Sequence, residues 1–244
     1  MKPASALCFI LLVLTGFCFK NAANKKLPVK KLTLIFHHQI GEEELVLGNP
    51  VKNILGETIV VQKFKYYVSN FSVTDENGKT ILLPAQYYLV DEADSSTKKI
   101  NLTIPDMIIG SIHFLLGVDS IKNVSGVQTG SLDPLKGMFW TWNSGYVMAK
   151  LEGTSASAAT GGHLFTFDIG GFRTGNSVLK TIDFKIPKAG KTIQEINIVA
   201  DINQWFKNKS EIRIAETPVC HGPGALAMKI ADNYSTMFSI NSIH

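Results

Sequence analysis

The stretch that most constrains this chain is TIVVQKFKYYVSNFSV, residues 58–73, with DENGK close behind it. Its β-branched and aromatic side chains fit a pleated strand better than the crowded turns of a helix. Asn77-Gly78 then supplies the left-handed backbone of a tight hairpin turn. A long strand that turns back on itself commits the chain to a sheet. KLTLIFHH repeats the theme, with Leu32, Leu34 and Phe36 on one face and Thr33, Ile35 and His37 on the other, and EELVL follows Gly41. TILL, QYYLV, KINLTI, SIHFLLGV, HLFTFDI, SVLKTIDFKI and TIQEINIVA continue it. Short strands separated by turns predict an all-β fold, an antiparallel β-sandwich with Greek-key-like connections.

One or two short helices interrupt the strands. Asp201 with Gln204 three residues on reads as a capping box opening INQWFKN. GALAMKIADNYSTMF, after Pro223-Gly224, reads as a helix or as a helix leading into a last strand. GTSASAATGG, residues 153–162, reads as a mobile loop of small residues.

The N-terminus has the pattern of an export signal. MKPASALCFILLVLTGFCF carries one early lysine, an apolar run from Ala6 to Val13 and small residues soon after. The run is too short for a membrane span. Gly16-Phe17-Cys18 offers a cleavage site, while bulky Phe17 argues against lipidation of Cys18. The expected layout is a cleaved signal at 1–18, a basic linker at 19–31 and one domain at 32–244, periplasmic or secreted. Only Cys220 then remains, which excludes an internal disulfide and suits a small buried hydrophobe. Lys25, Lys26, Lys30 and Lys31 match the net charge of +4, and no basic stripe interleaved with aromatics follows, which excludes a nucleic-acid partner.

Enzyme motifs are missing. GTSAS lacks the final glycine of a nucleophile elbow, and AGKT at 189–192 has Lys185 where a P-loop needs glycine. There is no His-Glu-x-x-His and no Cys-x-x-Cys, so the chain is expected not to be an enzyme. Six histidines remain: His37, His38, His113, His163, His221 and His244. Two imidazoles suffice to hold reduced copper. Adjacent His37 and His38 point to opposite faces of a strand, so only one can serve a given site. Asp119, Asp133 and Asp168 with Asn143 form a weaker, oxygen-rich alternative for calcium, set against the simpler role of Asp119 and Asp133 in their own turns.

GMFWTWNSGY, residues 137–146, holds Trp140 and Trp142, two of the chain's three tryptophans. Around it the chain resembles the MbnP-like family, exported copper-protein relatives associated with methanobactin genes. FHHQIG, FKYYVSNFSV, HFLLGVDSIKNVSGVQTGSLDPLKGMFWTWNSGYVMAKLEG, FDIGGF and IADNYSTMF carry the resemblance in order. It implies a periplasmic β-rich protein that binds copper through histidines and a tryptophan oxidised to kynurenine by a MauG-type di-haem enzyme. This protein is then substrate and metal carrier, not catalyst.

Two family features differ. Ser69-Asn70 stands in the Tyr-rich strand where copper-binding members have a histidine, and Asp168 in FTFDIGG replaces another. His38 is kept. The resemblance therefore implies metal at His38 and Asp168, with His37 and His113 behind them, and modification at Trp140 or Trp142. The pair has two other readings: core packing, supported by Phe139, or a stacking platform with Tyr66 and Tyr67 for a sugar or peptide.

Overall fold

The computed structural model describes residues 28–142, 145–187 and 193–244. The export signal with Cys8 and Cys18, most of the basic linker, Asn143, Ser144 and AGKT at 189–192 lie outside the described residues. In chain order the strands are β1 (Val29–Ile40), β2 (Glu43–Glu44), β3 (Pro50–Lys52), β4 (Thr58–Asp75), β5 (Thr80–Leu82), β6 (Tyr87–Asp91), β7 (Lys99–Pro105) and β8 (Ile109–Leu116). They continue with β9 (Phe139–Trp140), β10 (Gly145–Ser155), β11 (Leu164–Gly170), β12 (Lys180–Lys185), β13 (Glu195–Asp201), β14 (Val219–His221) and β15 (Phe238–Ile243). The helices are α1 (Ser120–Val124), α2 (Asn203–Phe206) and α3 (Ala225–Tyr234).

β4 is the spine. Its 18 residues contain neither glycine nor proline, so nothing in it removes a ladder donor or weakens the strand. One edge pairs first with β10 and then with β8; the other pairs with β3, β6 and β5 in turn. The sheet runs β12-β8-β4-β10-β11-β14. Where the pairing with β8 slips between Ser69 and Ser72, Asn70 sits at φ +50° and its amide donates to Asp119 Oδ2 at 2.9 Å. Asparagine is among the few side chains that tolerate this conformation, so the bulge has a local cause. The hairpin forms as the sequence predicts: Gly78 has φ +84°, and Asp75 Oδ1 accepts from the Asn77 and Lys79 amides.

The second sheet runs β15-β13-β1-β2, with β7 beside β1. The alternation in β1 is as expected, with Leu32, Leu34 and Phe36 buried. Phe36 and Phe238 from this sheet meet Tyr66 and Phe114 from the other edge-to-face, at centroid distances of 5.4–6.3 Å. Such pairs contribute roughly 0.5–1.5 kcal/mol each beyond their buried area. The fold is all-β and sandwich-like. Its sheets are mixed, because β1 pairs with β13 and β11 with β14 in parallel.

Several local expectations change. β1 begins at Val29, inside the stretch read as linker, and Lys30 Nζ donates to Met107 O at 2.7 Å. EELVL yields only the two-residue β2. The capping box does not form: Asp201 Oδ1 accepts from the Asn203 and Gly41 amides, while Gln204 Oε1 accepts from Asn208. The small-residue stretch starts inside β10, where a Cβ on Gly153 would lie 2.1 Å from Val60 O. Gly153 is small so that two strands can approach. The C-terminal segment is helix α3 followed by strand β15.

Candidate functional site

His38 lies between the sheets and is almost wholly buried. Its Nδ1 is 2.5 Å from Glu92 Oε2 and its Nε2 is 2.9 Å from Tyr66 Oη. Phe64 packs edge-on against the imidazole at 4.8 Å. Burial lowers the histidine's pKa and outweighs the carboxylate beside it. Burial also opposes ionisation of Glu92, but hydrogen bonds from His38 and Lys98 hold its pKa below the ordinary value. A neutral imidazole donating Nδ1–H to a carboxylate and accepting from the tyrosine hydroxyl satisfies both directions. Both ring nitrogens are thereby committed to the interior.

The other predicted histidines stand apart from His38. His37 projects to solvent and meets Asn197 Oδ1 at 2.9 Å. His113 lies on β8 within reach of Ser111 Oγ, Thr74 Oγ1 and Asp183 Oδ1. Asp119 and Asp133 take their turn roles, capping α1 and the short turn of helix at Pro134–Lys136.

Asp168 belongs to a different cluster. Lys65, Lys150, Asp168 and His221 are register neighbours across β4, β10, β11 and β14. Alternation along each strand puts them on the opposite face of the sheet from Tyr66 and His38. The structure therefore does not bring His38 and Asp168 together. Asp168 Oδ2 lies 2.9 Å from His221 Nδ1, and its Oδ1 lies 2.6 Å from Lys150 Nζ. That ion pair is not aligned as a hydrogen bond, and Oδ1 has no other partner among the described residues. Lys150 also reaches Glu152 at 2.5 Å, and Glu152 reaches Lys63 at 2.7 Å. Burial raises the pKa of Asp168 despite the lysine. Burial acts the same way on Glu152, but its bonds to Lys150 and Lys63 prevail and hold it down at about 2.

The tryptophan pair sits on this cluster. β9 ends at Trp140 and a turn carries Trp142, so the two indoles come together through a turn rather than along one strand face. Their centroids are 5.4 Å apart. Trp142 stacks on His221 at 5.9 Å and 29°, and Trp140 meets the same ring edge-on at 5.7 Å. Trp140 is 4% exposed and Trp142 62%. The six-membered ring of Trp140 lies over Gly170, where an added Cβ would approach Cζ3 to 2.5 Å. This is the local reason for glycine in FDIGGF. Trp140 Nε1 is buried with no hydrogen-bond partner among the described residues.

Tyr66 and Tyr67 are sealed in the core, so they cannot join Trp142 in a stacking platform. Cys220, next to His221, is buried as expected, and burial with the nearby Asp168 charge raises its thiol to about 11. His221 is the residue that sequence reasoning passed over. Fifty-three residues separate it from Asp168, and only the parallel pairing of β11 with β14 joins them.

Among the described residues no three of His, Cys, Asp and Glu converge as a ready metal site. One imidazole has a ring nitrogen that the protein does not engage among the described residues. Asp168 holds Nδ1 of His221 and leaves Nε2 without a protein partner among the described residues. Metal-binding histidines are ordinarily oriented by such a carboxylate on the other nitrogen.

The sequence model of the MbnP family matches residues 29–222. The chain belongs to the MbnP family. A solved structure, MbnP from Methylosinus trichosporium, superposes with a TM-score of 0.61 at 14% identity, covering 88% of this chain and 99% of that one. At that identity the likeness speaks for the fold alone. No curated protein matches the chain. The family match spans the strand of His38, the tryptophan turn, Asp168 and His221, so both polar clusters lie within the MbnP unit. Among the described residues no helix is long and apolar enough to cross a membrane.

Proposed function

We propose that this MbnP-family protein is an exported copper carrier whose site is the cluster of His221, Trp142 and Trp140. The observation that supports it is His221, tethered by Asp168 through Nδ1, with Nε2 free beside two indoles. Asp168 serves as the support of this imidazole rather than as a direct ligand, because its oxygens already face His221 and Lys150. A single imidazole is one donor short for reduced copper. An indole opened to kynurenine offers an aryl amine and a carbonyl, and it stands where the second donor is needed.

Trp142 is the indole to be modified. It is mostly exposed and stacks flat on His221, so an external di-haem enzyme of the MauG type reaches it without opening the core. Trp140 is sealed over Gly170 and holds the turn in place. In this role the protein is substrate and carrier, and the partner does the redox chemistry. A sugar or peptide platform would need a second exposed indole or phenol ring. Among the described residues Trp142 has the buried Trp140 and the exposed imidazole of His221 beside it.

The test is native mass spectrometry of the protein isolated from its own cells, with peptide mapping across Gly137 to Lys150. Bound copper with a kynurenine mass at Trp142 is the expected result. Copper retained on unmodified tryptophans would remove Trp142 from the ligand set. Absence of both copper and modification would overturn the proposal.

A further inference from the structure

We propose that the cavity beside Trp140 is a binding site for a small organic carboxylate of about the size of benzoate. Its volume is about 130 Å³ and it opens to solvent; Trp140, Tyr146, Phe172 and Pro223 wall it, with the exposed Arg173 and Asn176 at its rim. This volume is close to the roughly 150 Å³ of a closed cavity that binds benzene, and its open side leaves room for one ring or a short acyl chain with a polar head outside.

An unpaired cation on its lining calls for an anionic acceptor. The chain has two arginines, and Arg213 is paired with Glu211 at 2.9 Å. Arg173 has no carboxylate partner among the described residues and lies over the Phe172 ring at 5.8 Å. Trp140 contributes an indole wall. Guanidinium and carboxylate match as planar, charge-assisted partners. Asn176 adds an amide at the mouth.

The rim is preformed. The Asn176 amide donates to Arg173 O at 3.0 Å and the Val178 amide donates to Gly171 O at 3.1 Å, closing the loop on itself. Gly171 has φ +132°, and a Cβ there would lie 2.3 Å from Asn176 O. Arg173 and Asn176 are therefore held at the entrance by backbone geometry before any ligand arrives. The site needs neither copper nor a modified tryptophan, so it stands or falls separately from the copper proposal.

The experiment uses metal-free recombinant protein labelled with nitrogen-15, its indole resonances assigned by single Trp→Phe variants. Benzoate is titrated as the probe, with uncharged benzamide as its match in shape. Benzoate is expected to move the Trp140 indole resonance saturably, and benzamide and the Arg173→Gln variant are each expected to bind at least about tenfold more weakly. Arg173 is exposed, and an unchanged thermal transition in Arg173→Gln confirms that the variant is folded. No saturable shift up to about 20 mM benzoate overturns the site. Equal affinity for benzamide, or an unchanged affinity in Arg173→Gln, overturns carboxylate recognition.

Discussion

Asp168 and His221 stand opposite each other on parallel strands β11 and β14, with Oδ2 2.9 Å from Nδ1. This contact fixes which imidazole nitrogen is left for a ligand. Replacing Asp168 by Asn keeps an acceptor but removes the charge. Copper affinity in competition titrations is expected to fall about 10–100-fold, the usual cost of losing a carboxylate behind a metal-bound histidine. His221→Ala should remove the site altogether. If Asp168→Asn binds copper as tightly as the parent, the supporting role of Asp168 is wrong.

Gly170 is the floor under Trp140. A methyl group there meets Cζ3 of the indole at 2.5 Å and Tyr146 O at 2.9 Å, so Gly170→Ala must push the ring out or bend β11. The expected loss is about 1–3 kcal/mol, as for other overpacked interiors. Urea unfolding measures the loss, and a red-shifted tryptophan emission reports the displaced indole. Unchanged emission and stability would mean that the indole is not seated on Gly170.

His38 is a structural residue on this geometry. His38→Ala leaves a cavity between the sheets and strips Glu92 and Tyr66 of a partner. Together these should lower stability by about 2–4 kcal/mol. Copper content of the folded fraction should stay at the parental level. A variant with the parental unfolding midpoint and less copper would restore His38 to the metal site.

Glu152 governs acid stability on the outer face of the sheet. Its pKa is held at about 2, below the ordinary 4.5, by Lys150 and Lys63. A carboxylate with a depressed folded-state pKa stabilises the fold at pH values above its unfolded pKa. That contribution is lost as pH falls from about 4.5 through about 2. Carbon-13 carboxyl titration should therefore find Glu152 ionised down to about pH 2. In Lys150→Met its titration should move upward, and stability at neutral pH should drop by about 3–5 kcal/mol, as when one partner of a buried ion pair is removed. An ordinary titration near 4.5 in the parent protein would contradict the lysine clamp.

The strands and their faces were legible in the sequence because side-chain alternation is a local property. Leu32, Leu34 and Phe36 had to face one way, and the Asn77-Gly78 turn had to send β4 back into a hairpin. The ordered family blocks likewise marked the tryptophan turn and Asp168. The partners of those residues were not legible. His38 and Asp168 read as one ligand set, yet they lie on opposite faces of the β4 sheet, because which strand sits beside which is not written in either strand's own period.

The sequence by itself determined an all-β chain with buried and exposed faces and two indoles one residue apart. Alternation and turn chemistry decide those matters within a few residues. Only the tertiary structure decided that Trp140 is sealed while Trp142 is open, and that His221 rather than His38 is their neighbour. The physical reason is parallel pairing across fifty-three residues: β14 adds to the sheet edge beside β11, and that long-range contact alone puts an imidazole between a carboxylate and two indoles.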